Sequence, residues 1–245
     1  MKSLILAAGY GTRLYPYTKN FPKSLLKVNN RPIIEYLLDK LEGLNDLSKI
    51  LIVTNDRFYK HFDDWRQKLK IKNRVKIVND CTQTVEEKLG AIRDMELVFR
   101  EEGFSEDFLV LGGDNFFKEP LDEFIRFAHK NSPALTIGVF DLKDKLAAKH
   151  FGVVELDRNG RVTGFDEKPD LPKTSLAAMC LYYFPKNKLS LINEYLMNPG
   201  HFSDAVGSYI KWLAKHDEVY GFLFDRLWFD IGHIHTYHRL KEILK

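Results

Sequence analysis

Apolar strand-like runs alternate with helix-period stripes through the first 140 residues, and this alternation restricts the chain more than any other feature. The runs fall at 2–8 (KSLILAA), 49–54 (KILIVT), 75–78 (VKIV), 107–112 (DFLVLG) and 134–140 (ALTIGVF). They are rich in Val, Ile and Leu and mostly lack polar alternation, the pattern of strands buried on both faces. Between them, apolar residues recur at helical spacing: Ile33, Ile34, Leu37, Leu38 and Leu41; Phe58, Phe62, Trp65 and Leu69; Leu89, Ile92, Met95 and Phe99; then the segment Leu121 to Lys130. A β-α-β-α-β-α-β-α-β order requires a parallel sheet with helices on both sides. Ligands in such three-layer α/β/α sheets sit outside the carboxyl ends of the strands.

Beyond residue 140 the pattern changes. FGVVELDRNGRVTGFDEKP reads as two strands joined by a turn at Asn159-Gly160, a strong hairpin signal. Residues 177–184 read as a strand, 204–216 as a helix, 219–224 as a strand and HTYHRLKEILK as a closing helix. With no repeat, low-complexity segment or linker, the expectation is one domain over 1–245 whose halves share a sheet. Its 245 residues, 44% of them hydrophobic, suffice for a sizeable core. The lone cysteines Cys81 and Cys180 form neither a disulfide framework nor a paired zinc motif, which fits a reducing cytoplasm. The apolar stretch Leu4 to Ala8 is too short for a signal sequence, and no run is long enough to cross a bilayer. A soluble, cytoplasmic protein is expected, with no membrane partner.

The net charge of +3 does not imply a nucleic-acid partner, but the charge is unevenly placed. Lys2, Arg13, Lys19, Lys23, Lys27 and Arg31 precede the first acid, Glu35. This acid-free region suits a polyanion; the alternative is a solvated basic surface.

Three places in this pattern carry chemistry. Gly9 and Gly11 follow the first strand, where close backbone approach and positive φ form a nest for phosphate oxygens, and Arg13 adds a bidentate cation. The loop lacks the third glycine of GxGxxG, and nothing matches GxxxxGK[ST], so it is neither of those two phosphate loops. An ordinary strand-to-loop turn is equally served by the glycines alone. Lys23, behind the rigid Pro22 and anchored by Leu25-Leu26, can reach the same phosphates or lie on the surface. Asp114, directly behind a buried strand in LGGDN, has the place and chemistry of a Mg²⁺ ligand, with an Asx-turn or helix cap as the alternative.

LAAGYGTRLYPYT, PKSLLKV, LGGDN, FGVVE, FDEKP and WFDIG, in this order and across almost the whole chain, resemble the sugar-1-phosphate nucleotidyltransferases, which make NDP-sugars. The resemblance implies a mostly parallel mixed sheet of the Rossmann-like, GT-A-like nucleotidyltransferase kind, with an NTP-binding half at 1–140 and a sugar-phosphate-binding half at 141–245. It implies nucleotide binding by Leu6, Ala8, Gly9, Gly11 and Thr12, a triphosphate-binding Arg13 and an activating Lys23. It also implies sugar-phosphate binding by Gly152, Glu167 and Lys168, and Mg²⁺ ligation by Asp114 and Asp230. Arg13, Lys23 and Lys168 are the implied catalytic cations. FGVVE, EKP and CLYYF look most like thymidylyl and uridylyl members, so dTTP or UTP and a hexose 1-phosphate are the expected substrates, with CTP and GTP open and homo-oligomerisation possible.

Rival readings are a cytidylyltransferase or guanylyltransferase using another sugar or alcohol phosphate, and a non-catalytic regulatory relative. The segment Glu167-Lys168-Pro169 argues against an alcohol phosphate, and the full set of phosphate and metal residues argues against a non-catalytic chain. Base recognition departs from the family: Lys88 stands at the expected glycine of its base-contacting loop. Gln83 is a candidate for the base edge, with Asp80, Thr82 and Thr84 equally placed. His233, His235 and His238 near Asp230 suggest a transition-metal site, yet His235 and His238 open the last helix with no further ligand identified. Trp228 and the CLYYF tyrosines are assigned to the core.

Overall fold

The computed structural model describes residues 1–198 and 204–245. The first half runs β1 (Lys2–Leu6), β2 (Lys27–Val28), β3 (Arg31–Pro32), α1 (Ile33–Glu42), β4 (Lys49–Thr54), α2 (Asp56–Arg66), β5 (Val75–Asn79), α3 (Ala91–Glu102), β6 (Phe108–Gly112), β7 (Asn115–Phe117), α4 (Asp122–Lys130) and β8 (Leu135–Asp141). The second half runs α5 (Lys145–Ala148), β9 (Gly152–Leu156), β10 (Val162–Glu167), β11 (Leu176–Phe184), α6 (Leu191–Met197), α7 (Val206–His216), β12 (Val219–Phe224), β13 (Trp228–Asp230) and α8 (Ile234–Ile243).

The two faces of the sheet explain why these strands lack polar alternation. Ile50 and Ile52 of β4, with Leu109 and Leu111 of β6, join one core, packed with Leu37 and Leu41 of α1, Phe58 and Phe62 of α2 and Phe124 of α4. The intervening Leu51, Val53, Phe108 and Val110 face the other core, with Met95 and Phe99 of α3, Tyr195 of α6 and Tyr209 of α7. A strand covered by helices on both sides is apolar on both faces along most of its length. This is the α/β/α layering expected from the sequence.

Strands β5, β4, β1 and β6 pair in parallel in that order. The expected parallel run is then interrupted, because β8 does not lie beside β6. The strand β11 of the second half comes between them, antiparallel to both. It carries apolar residues for both cores, Met179, Leu181 and Tyr183 for one and Tyr182 and Phe184 for the other, and so can occupy a central position. β12 continues beyond β8 in parallel, and the antiparallel hairpin β9–β10 flanks β11. The turn of that hairpin is where the sequence places it: Gly160 has φ 82°, and Asp157 Oδ1 accepts from the amides of Asn159 (2.8 Å) and Arg161 (2.9 Å).

Several boundaries shift. β1 ends at Leu6, so Ala7 and Ala8 already belong to the following loop, while Leu69 and Leu89 lie outside α2 and α3. Asn55 caps α2, its side chain accepting from Phe58 N at 3.0 Å, and its amide also donates to Ala8 O at 2.8 Å. One residue thus starts a helix and pins the glycine loop. A third apolar cluster, Leu14, Leu26, Val28, Ile33, Phe116, Phe229, Ile231, Tyr237 and Leu240, fastens α8 and the small antiparallel β7–β13 sheet onto the amino-terminal loops.

Candidate active site

At the carboxyl ends of β1 and β6 a cavity of about 430 Å³ is lined by Leu6 through Thr12 on one side and by Lys23, Asp114 and Lys168 among others. The glycine loop is held from several directions. Gly113 N donates to Leu6 O (2.9 Å), Thr18 Oγ1 to Gly11 O (2.7 Å), and Tyr10 Oη lies 3.1 Å from Thr82 Oγ1. Gly11 has φ 62°, and a Cβ there would press on Thr18. Gly9 has open space where a side chain would stand, which allows a ligand to approach the backbone.

Lys23 follows Pro22 in a short 3₁₀ turn whose Leu25 is buried, as is the next residue, Leu26, and its ammonium pairs with Asp114. The two-stranded β7–β13 sheet brings the second carboxylate to this point: Asp230 lies opposite Asn115 in register, and Ile231 N donates to Asp114 O at 3.0 Å. Burial, and then the charge of Asp114, hold the Asp230 carboxyl above the usual carboxylate range. Two hard oxygen donors that repel one another are what a divalent cation relieves. Mg²⁺ requires only one or two carboxylates when phosphate oxygens and water complete its shell. Asp114 and Asp230 fit that ion. Arg13 is exposed and is not among the residues that line the cavity; its Nη1 lies 3.2 Å from His233 Nε2. Burial, first, and the neighbouring guanidinium hold His233 below the usual histidine range.

The second half supplies the far wall. A bulge in β11 between Ala178 and Tyr182 puts Cys180 in the left-handed region (φ 52°) and among the cavity residues. At the end of β10, Glu167 is held above the usual carboxylate range by burial, opposed by Lys168. Lys168 has φ 47°, and its Nζ stands 3.5 Å from Glu167 Oε1. Gly152 pairs with Glu167 in the β9–β10 register. A Cβ on Gly152 would crowd the Phe165 ring at 2.5 Å, and one on Gly207 would collide with Glu167 Oε2.

Some candidates stand apart. Gln83 is exposed and does not line the cavity; its Nε2 donates to Asp56 Oδ2 at 3.2 Å. Thr84 is exposed, and Thr82 bonds to Asp80 Oδ1 through its amide (2.7 Å) and hydroxyl (2.8 Å). The histidines take separate partners: His233 caps α8 and His238 Nε2 lies 3.2 Å from Tyr17 Oη. No group of three metal-ligating side chains occurs among the described residues. Trp228, Tyr182 and Tyr183 are buried, as core residues should be, and Trp228 Nε1 donates to Asn115 Oδ1 at 2.6 Å.

Sequence reasoning passed over Asp94, Asp204 and Cys180, all of which line the cavity. Lys88, singled out for the family glycine it replaces, also lines it and pairs with Asp204 at 2.8 Å. The available signal was a carboxylate at Asp94 beside the apolar stripe of α3, where a solvated residue has no place.

A glycine loop, two facing carboxylates and the ammonium of Lys23 thus lie together at the strand ends. Residues 2–245 match the nucleotidyl transferase family model, and the chain belongs to that family. The bifunctional protein GlmU of Methanocaldococcus jannaschii is 28% identical over 232 residues, covering 95% of this chain and 51% of the relative. The glucose-1-phosphate thymidylyltransferase of Streptomyces antibioticus is 32% identical over 187 residues, covering 75% of this chain and 49% of the relative. The chain thus spans about half the length of these curated relatives. Its fold is shared with a Bacillus anthracis chain described as a glucose-1-phosphate thymidylyltransferase, solved with sucrose (TM-score 0.85, 23% identity, 99% of this chain and 94% of that one). It is also shared with an apo UDP-glucose pyrophosphorylase (TM-score 0.81, 19% identity, 99% and 97%). No helix among the described residues is long and apolar enough to cross a membrane.

Proposed function

We propose that this protein joins a sugar 1-phosphate to a nucleoside triphosphate, dTTP or UTP in preference, releasing pyrophosphate and an NDP-sugar. The observation that carries the reading is the meeting of Asp114 and Asp230 beside Lys23 at the glycine-loop cavity, in a chain of this family. The names of the relatives, a thymidylyltransferase and a UDP-glucose pyrophosphorylase, support the choice of base.

Two dense anions must meet before a bond can form, so positioning and charge neutralisation dominate. Asp114 and Asp230 would hold Mg²⁺, which when bound neutralises the phosphate oxygens around the reacting phosphorus. Leu6, Ala8, Gly9, Gly11 and Thr12 seat the nucleotide, with Arg13 and Lys23 on its phosphates. Lys23 is paired with Asp114, and phosphate oxygens would compete for its ammonium. Lys168 takes the sugar phosphate, while Glu167, backed by Gly152, accepts from sugar hydroxyls. The acceptor is already an anionic phosphate oxygen and needs no general base. It attacks the α-phosphorus in line, the α–β bridge breaks, and pyrophosphate leaves with the bonding pair.

The test is a matrix of nucleoside triphosphates against sugar 1-phosphates, scored by pyrophosphate release, with chelation and Mg²⁺ re-addition as controls. Asp114→Ala and Asp230→Ala are each expected to lower kcat by about 10³-fold or more, with the thermal transition retained. Wild-type rates in either variant would overturn the metal assignment. Lys168→Ala should chiefly raise the KM for the sugar phosphate, and Arg13→Ala that for the nucleotide.

A further inference from the structure

Arg13 forms no ion pair with a carboxylate among the described residues; what its Nη1 meets, at 3.2 Å, is Nε2 of His233. The histidine keeps similar company. After burial, the groups that hold its ring below the usual range are Arg13, His235, His150 and Lys23, every one a cation or a potential one. The ring of His235 stacks beside it, centroids 5.5 Å apart and 20° from parallel. Such a gathering of like charge is unfavourable by itself and becomes favourable when an anion enters it. It also borders the paired carboxylates. A Cβ on Gly232 would stand 3.6 Å from Asp230 Oδ2 and 3.8 Å from Arg13 Nη2, so the glycine leaves the space beside carboxylate and guanidinium open. Arg13 sits in a short 3₁₀ turn, Thr12–Leu14, that leaves directly from Gly11 of the glycine loop. A nucleotide seated on that loop, with its α-phosphate at Asp114 and Asp230, has Arg13 and His233 next in line for the two phosphates that depart.

We propose that His233 joins Arg13 in holding the departing pyrophosphate, so that the residue opening α8 is also a binding residue for the leaving group. This inference rests on the transferase reading above. A guanidinium only donates, and an imidazole donates from whichever nitrogen carries its proton; a phosphate oxygen accepts from both. When the α–β bridge breaks, the bonding pair stays on the bridging oxygen and the new charge appears on the β-phosphate. Donors placed there stabilise it as it forms. In the reverse direction the same two side chains seat incoming pyrophosphate for attack on the NDP-sugar. Loss of the imidazole therefore acts on pyrophosphate and spares the sugar phosphate, which Lys168 holds.

The experiment titrates inorganic pyrophosphate with Mg²⁺, and separately glucose 1-phosphate, into wild type, His233→Asn and His233→Gln by calorimetry, and measures inhibition of the forward reaction by added pyrophosphate. Asparagine is itself a good helix N-cap but is too short to reach the position of Nε2, so it removes the contact and keeps the start of α8. Glutamine reaches that far and offers an N–H donor. His233→Asn is expected to weaken pyrophosphate binding about tenfold and to raise the inhibition constant of pyrophosphate by the same factor. Its affinity for glucose 1-phosphate, its KM for the sugar phosphate and its thermal transition should stay as in the wild type. His233→Gln should recover most of the pyrophosphate affinity. Unchanged pyrophosphate binding in His233→Asn would overturn the proposal, as would an equal loss in both variants, which would reduce His233 to a cap. A loss confined to glucose 1-phosphate would overturn it too, and give the residue to the acceptor phosphate. Each of these results leaves the transferase reading standing while the wild type releases pyrophosphate from a nucleotide and a sugar phosphate; no release from any pair would overturn that reading, and this inference with it.

Discussion

At the scale of single residues, the site stores its chemistry in side chains whose surroundings hold them away from ordinary ionisation. Asp94 titrates at about 8 in the fold against 3.8 for the ordinary side chain. A carboxyl raised on folding contributes most at low pH, below the unfolded value, and its contribution is lost as pH rises through the folded value. The melting temperature of Asp94→Asn minus that of the wild type should therefore grow from near pH 4 to near pH 8 and level off above, in melts followed by circular dichroism. A flat difference would mean that Asp94 titrates normally. Cys180 offers a second check. Burial and the charges of Asp114 and Asp230 push its thiol up, whereas Cys81 is exposed. The native protein should show one fast-reacting thiol towards an aromatic disulfide reagent and two after unfolding. At this scale the basic opening of the sequence is only half informative: Lys23 lines the cavity, but Arg13 meets His233, Lys2 pairs with Glu102, and Arg31 with Glu35 and Asp39. Which of these cations face the cavity depends on carboxylates far along the chain, Asp114 for Lys23 and Glu102 for Lys2.

At the scale of elements, Gly207 in the first turn of α7 is placed by a neighbouring strand, because a Cβ there would run into Glu167 at the end of β10. Alanine within a helix ordinarily stabilises by about 0.5–1 kcal/mol relative to glycine. Gly207→Ala is expected instead to displace Glu167, raising the KM for the sugar phosphate without that gain in melting temperature; steady-state kinetics and a thermal melt read both. The major strands and helices were legible from periodicity, since burial on two faces or on one stripe writes itself into composition. The β7–β13 sheet was not. Its three-residue strands are too short to carry a pattern, and their partners, Asn115 with Asp230 and Phe117 with Trp228, are more than a hundred residues apart. The metal pair was available only because both motifs resemble those of one family. The bulge that turns Cys180 into the cavity left no trace, since it depends on β11 matching β8 on one edge and β6 on the other.

For the molecule as a whole, the consequential feature is the position of β11. The sequence split at residue 140 is a change of pattern, and the sheet crosses it: β11 pairs with β6 and β8, and its side chains enter both cores. We propose accordingly that 1–245 is one folding unit. A fragment of residues 1–140 should show no cooperative thermal transition, while the full chain shows one, by calorimetry. A cooperative melt of the fragment would make the amino-terminal half a domain in its own right.

The same strand sets a timetable during synthesis. The edge of β6, from Phe108 to Gly112, is fully apolar and wholly buried in the finished fold, but the residues of β11 that cover it, Leu181–Phe184, emerge roughly seventy residues later, a delay of several seconds at ~5–20 residues per second. In that interval the nascent chain presents an open hydrophobic strand edge, the kind of template that recruits chaperones or other nascent chains. How fast residues 113–184 leave the ribosome would then govern the yield of soluble protein, independently of how stable the completed molecule is.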